Sequence, residues 1–365
     1  MPFVAANLKY MNRQLVYQLL KQRGEISRAE ISRHTGISAP TVMKIVDYFE
    51  QINCVQEVGA GESSMGRKPQ LLRFNPDVGY AVGIDFSGVE LKIGIVDFGG
   101  KIRYLAATPV VPDISLITGD SFVEMIASAI TASGLTRERF HGICIGLPGV
   151  VNKKFRTIEL APLVGVIDKI GYDSILENLS GRLGLPILVE NDANLSALGE
   201  FSVSGYSDGE DLLFIRPGKG LGAGIILNGH LRHGKDFFAG ELGYMVFDAD
   251  YHIGKSQGGC LETELCLDEI RSSDTAPRDL TDRLAQKLAM AIVNICMPLD
   301  IQNAVLARFP NEEFYDFLLK AINLRLQQYV GQDIRCRAPS CPEPGILGAA
   351  GQVIYRAVDE MLKAD

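Results

Sequence analysis

The spacing of apolar residues over the first 75 positions predicts a small helical domain. Two stripes recur at the helical period: Leu8, Met11, Leu15 and Leu19, and then Val42, Ile45, Val46, Phe49 and Ile52. Between them, residues 27–30 read Ser-Arg-Ala-Glu, a capping box that predicts a short helix ending near Gly36. Ser38 is expected to cap the third helix. A short turn that contains glycine joins the last two helices, which is the helix-turn-helix order.

A two-stranded wing is predicted after these helices. Residues 55–58 and 70–74 read as strands, and they flank a glycine-rich turn whose tip reads Gly-Arg-Lys-Pro at 66–69. The third helix of such a domain enters the major groove by its N-terminal end, and a flat basic stretch suits the minor groove or the phosphates. We therefore expect DNA contacts from Ser38, Ala39, Thr41, Lys44, Arg67 and Lys68. The alternative is a three-helix module that binds another protein.

The pattern changes after a short Asn-Pro linker at 75–76, and an α/β unit then occurs twice. The first unit has predicted strands at 80–85, 91–97 and 102–106, followed by a helix at 120–133 and a strand at 142–145. The second unit has strands at 211–216 and 222–227, an Asn-Gly hairpin turn at 228–229, and Leu231. Two such units predict a duplicated α/β fold with a cleft between its halves.

Charge separates the first 75 residues from the others. They carry ten Lys and Arg against six Asp and Glu, whereas the remaining residues carry 26 against 38. A basic head on an acidic body indicates that only the head meets a polyanion. Seven cysteines without a framework spacing favour a reducing cytosol. No apolar run reaches membrane-spanning length and no signal-peptide pattern is present, so we expect a cytoplasmic protein without a membrane partner.

Residues 83–90 read Gly-Ile-Asp-Phe-Ser-Gly-Val-Glu, a phosphate-binding turn that has lost most of its phosphate chemistry. Such a turn needs glycines for close backbone approach, a hydroxyl group and often a cation. Here Gly88 is followed by a valine and by Glu90, whose carboxylate would repel a triphosphate. The turn therefore argues against phosphoryl transfer.

Four motifs follow one another along the body: Leu-Val-Glu-Asn-Asp-Ala-Asn at 188–194, Gly-Lys-Gly-Leu-Gly-Ala-Gly at 218–224, Gly-Glu-Leu-Gly at 240–243 and Gly-Gly-Cys-Leu-Glu at 258–262. In this order they resemble the motifs of the ROK family, which groups bacterial transcriptional repressors with sugar kinases. The resemblance implies a winged helix-turn-helix joined to a duplicated ribonuclease-H-like sugar-kinase fold, of the actin and hexokinase type. We place the domains at 1–75, at 76–192 together with a C-terminal helix at 345–365, and at 193–344.

The resemblance also implies a sugar site. Its residues here are Asn191, Asp192, Glu241, Tyr244 and Glu262, with Gly149 in a loop that lines the same cleft. Carboxylates and amides suit sugar hydroxyls, which both donate and accept hydrogen bonds. Asp192 stands where the family's kinases have their general base, which also binds the hydroxyl. The alternative is that Asn191 and Asp192 are turn and helix-cap residues.

The resemblance also shows where the chemistry of the family's kinases has been lost. Tyr244 replaces a histidine, and of three expected zinc cysteines only Cys260 remains, with Ile253 and Lys255 at the other positions. One thiolate cannot hold a structural zinc, so we predict none. The phosphate loops are degenerate, and their residues here are Asp85, Ser87, Gly88, Gly218, Gly220 and Gly222, with Lys219 in place of a threonine. We therefore predict that neither ATP nor magnesium binds.

These observations favour a sugar-responsive DNA-binding repressor of carbohydrate genes that has no kinase activity. We expect its partners to be operator DNA, a sugar effector and further copies of itself in a homodimer or tetramer. A DNA-binding protein that still phosphorylates its sugar is the first alternative. A repressor that binds no sugar and responds to a protein partner is the second.

Overall fold

The computed structural model describes residues 5–60, 70–86, 90–109, 113–161, 164–166, 168–207, 209–218, 220–251, 259–265, 278–309, 311–330 and 334–364. Several residues singled out above lie outside these ranges: Arg67, Lys68, Ser87, Gly88, Lys219, Ile253 and Lys255. The DNA contacts of Arg67 and Lys68 and the phosphate-loop interpretation of Ser87 and Gly88 therefore stay predictions.

The winged head contains three helices and a small sheet. The helices are α1 (Ala5–Gln22), α2 (Arg28–Thr35) and α3 (Ala39–Gln51). The strands β1 (Ile26–Ser27), β2 (Val55–Ala60) and β3 (Gln70–Phe74) pair antiparallel in the order β1-β3-β2. The predicted helices and wing strands are thus confirmed.

Local chemistry explains the boundaries of α2 and α3. The Ser27 hydroxyl accepts the N–H of Glu30 while the Glu30 carboxylate accepts the N–H of Ser27, so the capping box is confirmed. Gly36 ends α2 in the left-handed region with φ 71°. The expectation for Ser38 is only half right. It occupies the N-cap position of α3, but its hydroxyl lies 2.9 Å from the Thr41 hydroxyl and accepts no backbone N–H.

The first helix uses a different face for packing from the one that its apolar stripe suggests. Leu8, Met11 and Leu15 are 52%, 47% and 46% exposed. The head's core takes other side chains of α1, namely Val16, Tyr17 and Leu20, together with the predicted stripe of α3. The periodicity therefore predicts the helix correctly but does not identify its buried face.

The first half of the body is a five-stranded sheet in the order β11-β7-β4-β5-β6. Its strands are β4 (Tyr80–Phe86), β5 (Glu90–Asp97), β6 (Ile102–Pro109), β7 (Phe140–Leu147) and β11 (Ile187–Asn191). The helices α4 (Asp120–Ala132) and α5 (Asp173–Leu183) pack on one face. The short strands β8 (Val150–Asn152), β9 (Thr157–Glu159) and β10 (Ile170–Gly171) form a separate small sheet.

The second half repeats this topology. Its sheet has the order β14-β13-β12-β15-β16, formed by β12 (Leu212–Pro217), β13 (Leu221–Leu227), β14 (His230–Leu231), β15 (Asn303–Leu306) and β16 (Arg335–Arg337). In both sheets three antiparallel strands come first in the chain. One parallel strand then pairs with the first of them, and a second parallel strand pairs with that one. The predicted duplication is therefore confirmed.

Four further helices complete the body as described: α6 (Asp192–Val203), α7 (Cys260–Leu265), α8 (Arg278–Leu299) and α9 (Glu312–Tyr329). Residues of α8 and α9 contribute to the core of the second sheet. The opposite face of that sheet receives Ala197 of α6. Since Leu195 of α6 packs against the first sheet, α6 lies between the two halves.

The last helix, α10 (Pro344–Lys363), connects the cleft with the head. It crosses α6 with backbone in contact, because a Cβ on Gly348 would lie 1.8 Å from the carbonyl oxygen of Leu195. Residues Ile346, Ala349 and Ala350 pack on the first sheet, while Leu362 is buried in the core of the head. The boundaries of the three domains themselves stay a prediction.

No helix in the described ranges is long and apolar enough to cross a membrane.

Candidate functional site

The cleft starts where β11 ends and α6 begins. The Asn191 Oδ1 accepts the N–H of Asn194 at 2.9 Å, so Asn191 is the N-cap of α6. Its Nδ2 donates to the carbonyl oxygen of Gly149 at 2.9 Å. Gly149 has φ 89°, and a Cβ there would lie 2.5 Å from the Ala161 Cβ, so this loop needs glycine. The cap interpretation of Asn191 is confirmed, and the amide also binds the predicted cleft loop.

Glu190 organises this corner, although sequence reasoning did not select it as a site residue. Its carboxylate is 2 % exposed and accepts from the backbone N–H of Asn191 at 2.9 Å. The Lys153 Nζ lies 2.6 Å and the His233 Nε2 2.9 Å from its Oε2. Burial alone would raise the pKa of Glu190, but the hydrogen bond from His233 and the charge of Lys153 hold it at about 2. Glu190 is therefore a permanent anion that ties the start of α6 to the loop after β14.

A second unpredicted residue, Arg216, lies at the centre of the cleft. Its Nη2 donates to both carboxylate oxygens of Asp85 at 2.8 Å, and its Nε lies 3.3 Å from the Asp192 Oδ2. Its Nη1 donates to the Ser196 hydroxyl. Arg216 is 14%, Asp85 9% and Asp192 15% exposed at the side chain. The group is a largely buried triad of one guanidinium and two carboxyl groups.

Arg216 and Asp192 differ in whether their charge depends on pH. Burial raises the pKa of Asp192 to about 6, the charge of Arg216 opposes that rise, and the charge of Asp85 adds to it. The pKa of Arg216 is raised still further above its ordinary value, because the charges of Asp85 and Asp192 outweigh its burial. Arg216 is therefore permanently charged, whereas Asp192 titrates near neutrality.

The second half of the body brings three further predicted residues to the same cleft. Glu241 precedes the 3₁₀ turn Leu242–Tyr244, and Glu262 lies in α7. Burial, and then the charges of Asp192 and Glu262, raise the pKa of Glu241 to about 7. Within the described part of the chain, the carboxyl oxygens of Glu241 receive no hydrogen bond. Glu241 therefore offers acceptor capacity that a ligand could use.

Tyr244 and Glu262 complete this wall. The Glu262 Oε2 accepts the N–H of Leu221 at 3.3 Å. Tyr244 is 38% exposed, and its pKa is raised by burial and then by Glu241 and Glu262. The structure thus brings together the predicted residues Asp192, Glu241, Tyr244 and Glu262, while their contact with a sugar stays a prediction.

A cavity of about 360 Å³ lies on the other side of Arg216, between the end of β4 and the β12–β13 hairpin. Its lining includes Asp85, Arg216, Gly218, Arg308 and Gly345. The hairpin between β12 and β13 closes tightly, with the N–H of Gly218 2.6 Å from the carbonyl oxygen of Gly220. Gly222 pairs with Arg216 in the same hairpin. The predicted loop residues Asp85, Gly218, Gly220 and Gly222 are therefore close together.

The zinc prediction rests mainly on residues outside the described ranges. Cys260 is buried, and its Sγ lies 3.4 Å from the Glu264 Oε1. Among the residues that the structure describes, no group of three histidine, cysteine, aspartate or glutamate side chains is arranged for a metal ion. Ile253 and Lys255 lie in the segment without description, so the loss of zinc stays a prediction.

The predicted DNA-reading end of α3 is open to solvent. Ser38, Ala39 and Lys44 are exposed, and Thr41 is half-buried. Met43, which sequence reasoning did not select, is 53% exposed beside them. The surface therefore has the accessibility that a DNA contact needs.

Comparison with known proteins shows which family this chain is similar to. Residues 81–274 match the family model described as the ROK family. The chain is 33% identical over 261 residues to a putative xylose repressor of Caldicellulosiruptor sp. (strain Rt8B.4), covering 70% of this chain and 64% of that protein. It is 32% identical over 188 residues to a glucokinase of Streptomyces coelicolor, covering 51% of this chain and 56% of the kinase. The chain therefore spans less than two thirds of each of these relatives.

The solved structures supply a full-length match in fold. A crystal structure described as a ROK family transcriptional regulator, a homolog of the E. coli MLC protein, has a TM-score of 0.75 to this chain. The match covers 97% of this chain and 98% of that one at 21% identity, so it establishes the fold alone.

Proposed function

Since the chain belongs to the ROK family, we propose that it is a sugar-responsive transcriptional repressor that binds operator DNA through its winged head. The observation that carries this proposal is the position of α10 between the cleft and the head. At its start, Gly345 is packed against Asp85, where a Cβ would lie 2.6 Å from the Asp85 Oδ2. At its end, Leu362 is buried in the core of the head. The xylose repressor among its relatives supports the same function.

The head is proposed to bind DNA by the N-terminal end of α3. Exposed Lys44 supplies a cation, while Ser38 and Thr41 supply hydroxyls that can reach bases or phosphates. Two heads on a homodimer or tetramer would read half-sites that are one or two helical turns apart. The basic excess of residues 1–75 supports this surface over the acidic body.

The effector is proposed to be an uncharged sugar held by Asp192, Glu241 and Glu262, with Asn191 and Tyr244 beside them. Among the described cations, Arg216 faces this group, and it is already paired with Asp85 and Asp192. A phosphate group would therefore meet an excess of negative charge. The name of the relative makes D-xylose the first sugar to test.

The coupling between the two sites is proposed to run along α10. A helix of 20 residues is about 30 Å long, and its ends contact the cleft and the head. Closure of the cleft on a sugar would shift the start of α10 and so reposition the head. We propose that this cycle uses neither zinc nor ATP.

A second candidate is an active ATP-dependent sugar kinase with a DNA-binding head. The retained carboxylate of Asp192 and the similarity to a glucokinase favour it. A coupled ATPase assay with a panel of hexoses, pentoses and amino sugars separates the two candidates. Turnover above ~1 s⁻¹, the low end for kinases, would establish the kinase.

The repressor is tested with the full chain in three steps. Duplexes that the protein selects from a random pool supply the DNA probe, and thermal unfolding identifies a sugar from D-xylose, D-glucose, N-acetylglucosamine and their phosphates. A ligand at 100 times its Kd adds about 2.7 kcal/mol to the free energy of unfolding. That sugar is then expected to change the DNA affinity by roughly 5-fold to 150-fold. Failure to select any duplex, or a DNA affinity that the bound sugar leaves unchanged, contradicts the proposal.

A further inference from the structure

The guanidinium of Arg216 occupies the space between two carboxylates that come from different parts of the chain. Asp85 is in β4 of the first sheet, Asp192 is the first residue of α6, and Arg216 is in β12 of the second sheet. Two facing carboxylates in a cleft are the arrangement that a divalent cation commonly bridges. Here the guanidinium nitrogens lie at 2.8 Å from Asp85 and at 3.3 Å from Asp192. These distances leave no space for a metal ion between them.

The surroundings hold the guanidinium in that place. Three of its nitrogens are engaged, because Nη1 also donates to the Ser196 hydroxyl. The start of α10 closes the back of the group, since a Cβ on Gly345 would lie 3.2 Å from the Arg216 Nη1. Arginine cannot lose its proton in proteins, so this charge does not depend on pH. The side chain is thus fixed by contacts from three directions.

The Arg216 side chain also lines the adjacent cavity of about 360 Å³. A magnesium ion that accompanied a nucleoside triphosphate would need oxygen ligands here, but both oxygens of Asp85 already accept from the Arg216 guanidinium, whose positive charge would repel the ion. The residues present therefore do not fit a metal-nucleotide complex. Lys92 is also engaged, with its Nζ 2.9 Å from the Glu343 Oε1.

We infer that Arg216 is the resident cation of this cleft: it takes the place of a divalent metal ion between Asp85 and Asp192, so that the cleft binds its sugar without metal or nucleotide. This inference rests on the proposed function for its biological meaning. The claim that Arg216 replaces a metal ion, however, depends only on the contacts among Arg216, Asp85 and Asp192. Removing Arg216 leaves two buried carboxylates without compensation, and such a site should recruit a cation.

The test compares the full-length wild type with Arg216→Met, which keeps an unbranched apolar stem but removes the guanidinium and its charge. Binding of Mn²⁺ is followed by its paramagnetic resonance signal and by the thermal unfolding midpoint. We expect the wild type to bind no Mn²⁺ in the cleft at millimolar concentration. Arg216→Met should bind one ion with a Kd at least roughly tenfold below that concentration. Asp85→Asn/Arg216→Met is expected to lose that ion. Arg308→Met is the matched control, because Arg308 lines the same cavity and should leave Mn²⁺ binding unchanged.

Two results would overturn the inference. One is a wild type that binds Mn²⁺, or magnesium with a non-hydrolysable ATP analogue, in a way that Asp85→Asn abolishes. The other is a folded Arg216→Met that gains no Mn²⁺. If Arg216→Met does not fold, Arg216→Gln is measured in the same way, and the wild-type titration decides by itself. Neither readout involves DNA or sugar, so a failure here is distinct from a failure of the repressor function.

Discussion

The Nη1 of Arg13, in the first helix, donates to the carbonyl oxygen of Leu362, in the last helix, at 3.1 Å. The same nitrogen donates to the carbonyl oxygen of Ala364, and the guanidinium lies 3.7 Å from the centre of the Tyr48 ring. Carbonyl groups at a helix C-terminus carry partial negative charge and have no partner within the helix. Arg13 therefore caps the C-terminal end of α10 from the first helix of the head.

The first prediction is that Arg13→Met uncouples the head from the cleft. DNA and sugar should still bind separately, because Arg13 belongs to neither site. The ratio of the DNA affinities with and without the sugar should approach one, since the end of α10 loses its cap. The measurement is the operator affinity by fluorescence anisotropy with and without the sugar. Arg23→Met, an exposed arginine beyond the end of the same helix, is the matched control, and an unchanged sugar effect in Arg13→Met would contradict the prediction.

The second prediction concerns recognition of the sugar by Glu241. Glu241→Gln should weaken sugar binding by about 1–3 kcal/mol, because a carboxyl acceptor becomes an amide at a half-buried position. The affinity for operator DNA should stay the same. Titration calorimetry with the sugar found in the screen measures the change. Glu210→Gln serves as the control, since its carboxylate accepts from Ser207 at the surface. Full affinity in Glu241→Gln would place the sugar elsewhere.

Asn191 gives a complementary variant that needs a different design. Alanine there would also remove the cap of α6, which costs about 1 kcal/mol of stability. Asn191→Ser keeps a capping oxygen but loses the amide that contacts Gly149. A loss of sugar response in Asn191→Ser at unchanged thermal stability would therefore report on the cleft and not on folding.

The third prediction is a pH dependence with a defined sign. The folded-state pKa values of Glu241, about 7, and Asp192, about 6, lie above those of the unfolded chain. Each group therefore stabilises the ligand-free protein most below about pH 4, and this contribution is lost as the pH rises through about 6 to 7. The thermal midpoint of the free protein should fall between about pH 4 and pH 7, where the folded chain holds protons that the unfolded chain has lost, and Glu241→Gln should flatten the fall. The prediction is wrong if the thermal midpoint of the wild type rises between about pH 5 and 7 by as much as the midpoint of Glu241→Gln does.

The affinity for the sugar should rise with pH, whereas the thermal midpoint of the free protein falls. Hydroxyl groups that donate to Glu241 favour its ionised form, so binding releases protons. The affinity should therefore rise with pH up to about 7, by at most about tenfold per pH unit. Asp192, Glu262 and Tyr244 face Glu241, and Asp192 in turn contacts Arg216, which keeps its charge throughout. Proton uptake on binding, measured in buffers of different ionisation enthalpy, would show that this direction is wrong.

The fourth prediction concerns the salt dependence of DNA binding. Replacing Arg67 and Lys68 in the wing by alanine should weaken operator binding and reduce the salt slope by about 1 for each lost phosphate contact. Lys44→Ala, at the exposed end of α3, should do the same. Lys101→Ala removes an exposed cation of the body and is the control. Slopes that match the wild type in all three head variants would mean that this face does not meet DNA.

Much of the secondary structure follows from short-range patterns. The capping box at Ser27, the end of α2 at Gly36 and the Asn228-Gly229 hairpin, whose residues have φ 52° and 74°, depend on neighbours a few positions away. The three antiparallel strands that begin each half were equally visible from their turns, whereas β11, β15 and β16 were not predicted. These features need no knowledge of distant residues, so the amino-acid order alone predicts them.

The cleft is different, because its main contacts join distant residues. Arg216 meets Asp85 across 131 positions, and Glu190 meets His233 across 43. The sequence offered only one signal for Arg216, a charged residue at the end of an otherwise apolar strand. The exposed stripe of α1 shows the same limit, since periodicity defines a face but not what covers it.

The amino-acid order by itself thus determined the helices and wing strands of the head, the antiparallel strands that begin each half of the body, and a set of polar residues available to a cleft. Only the tertiary structure decided that a guanidinium lies between Asp85 and Asp192, and that α10 ends inside the head. The physical reason is that turns and periodicity act over a few residues, whereas the pairing of buried charges depends on how whole sheets and helices pack.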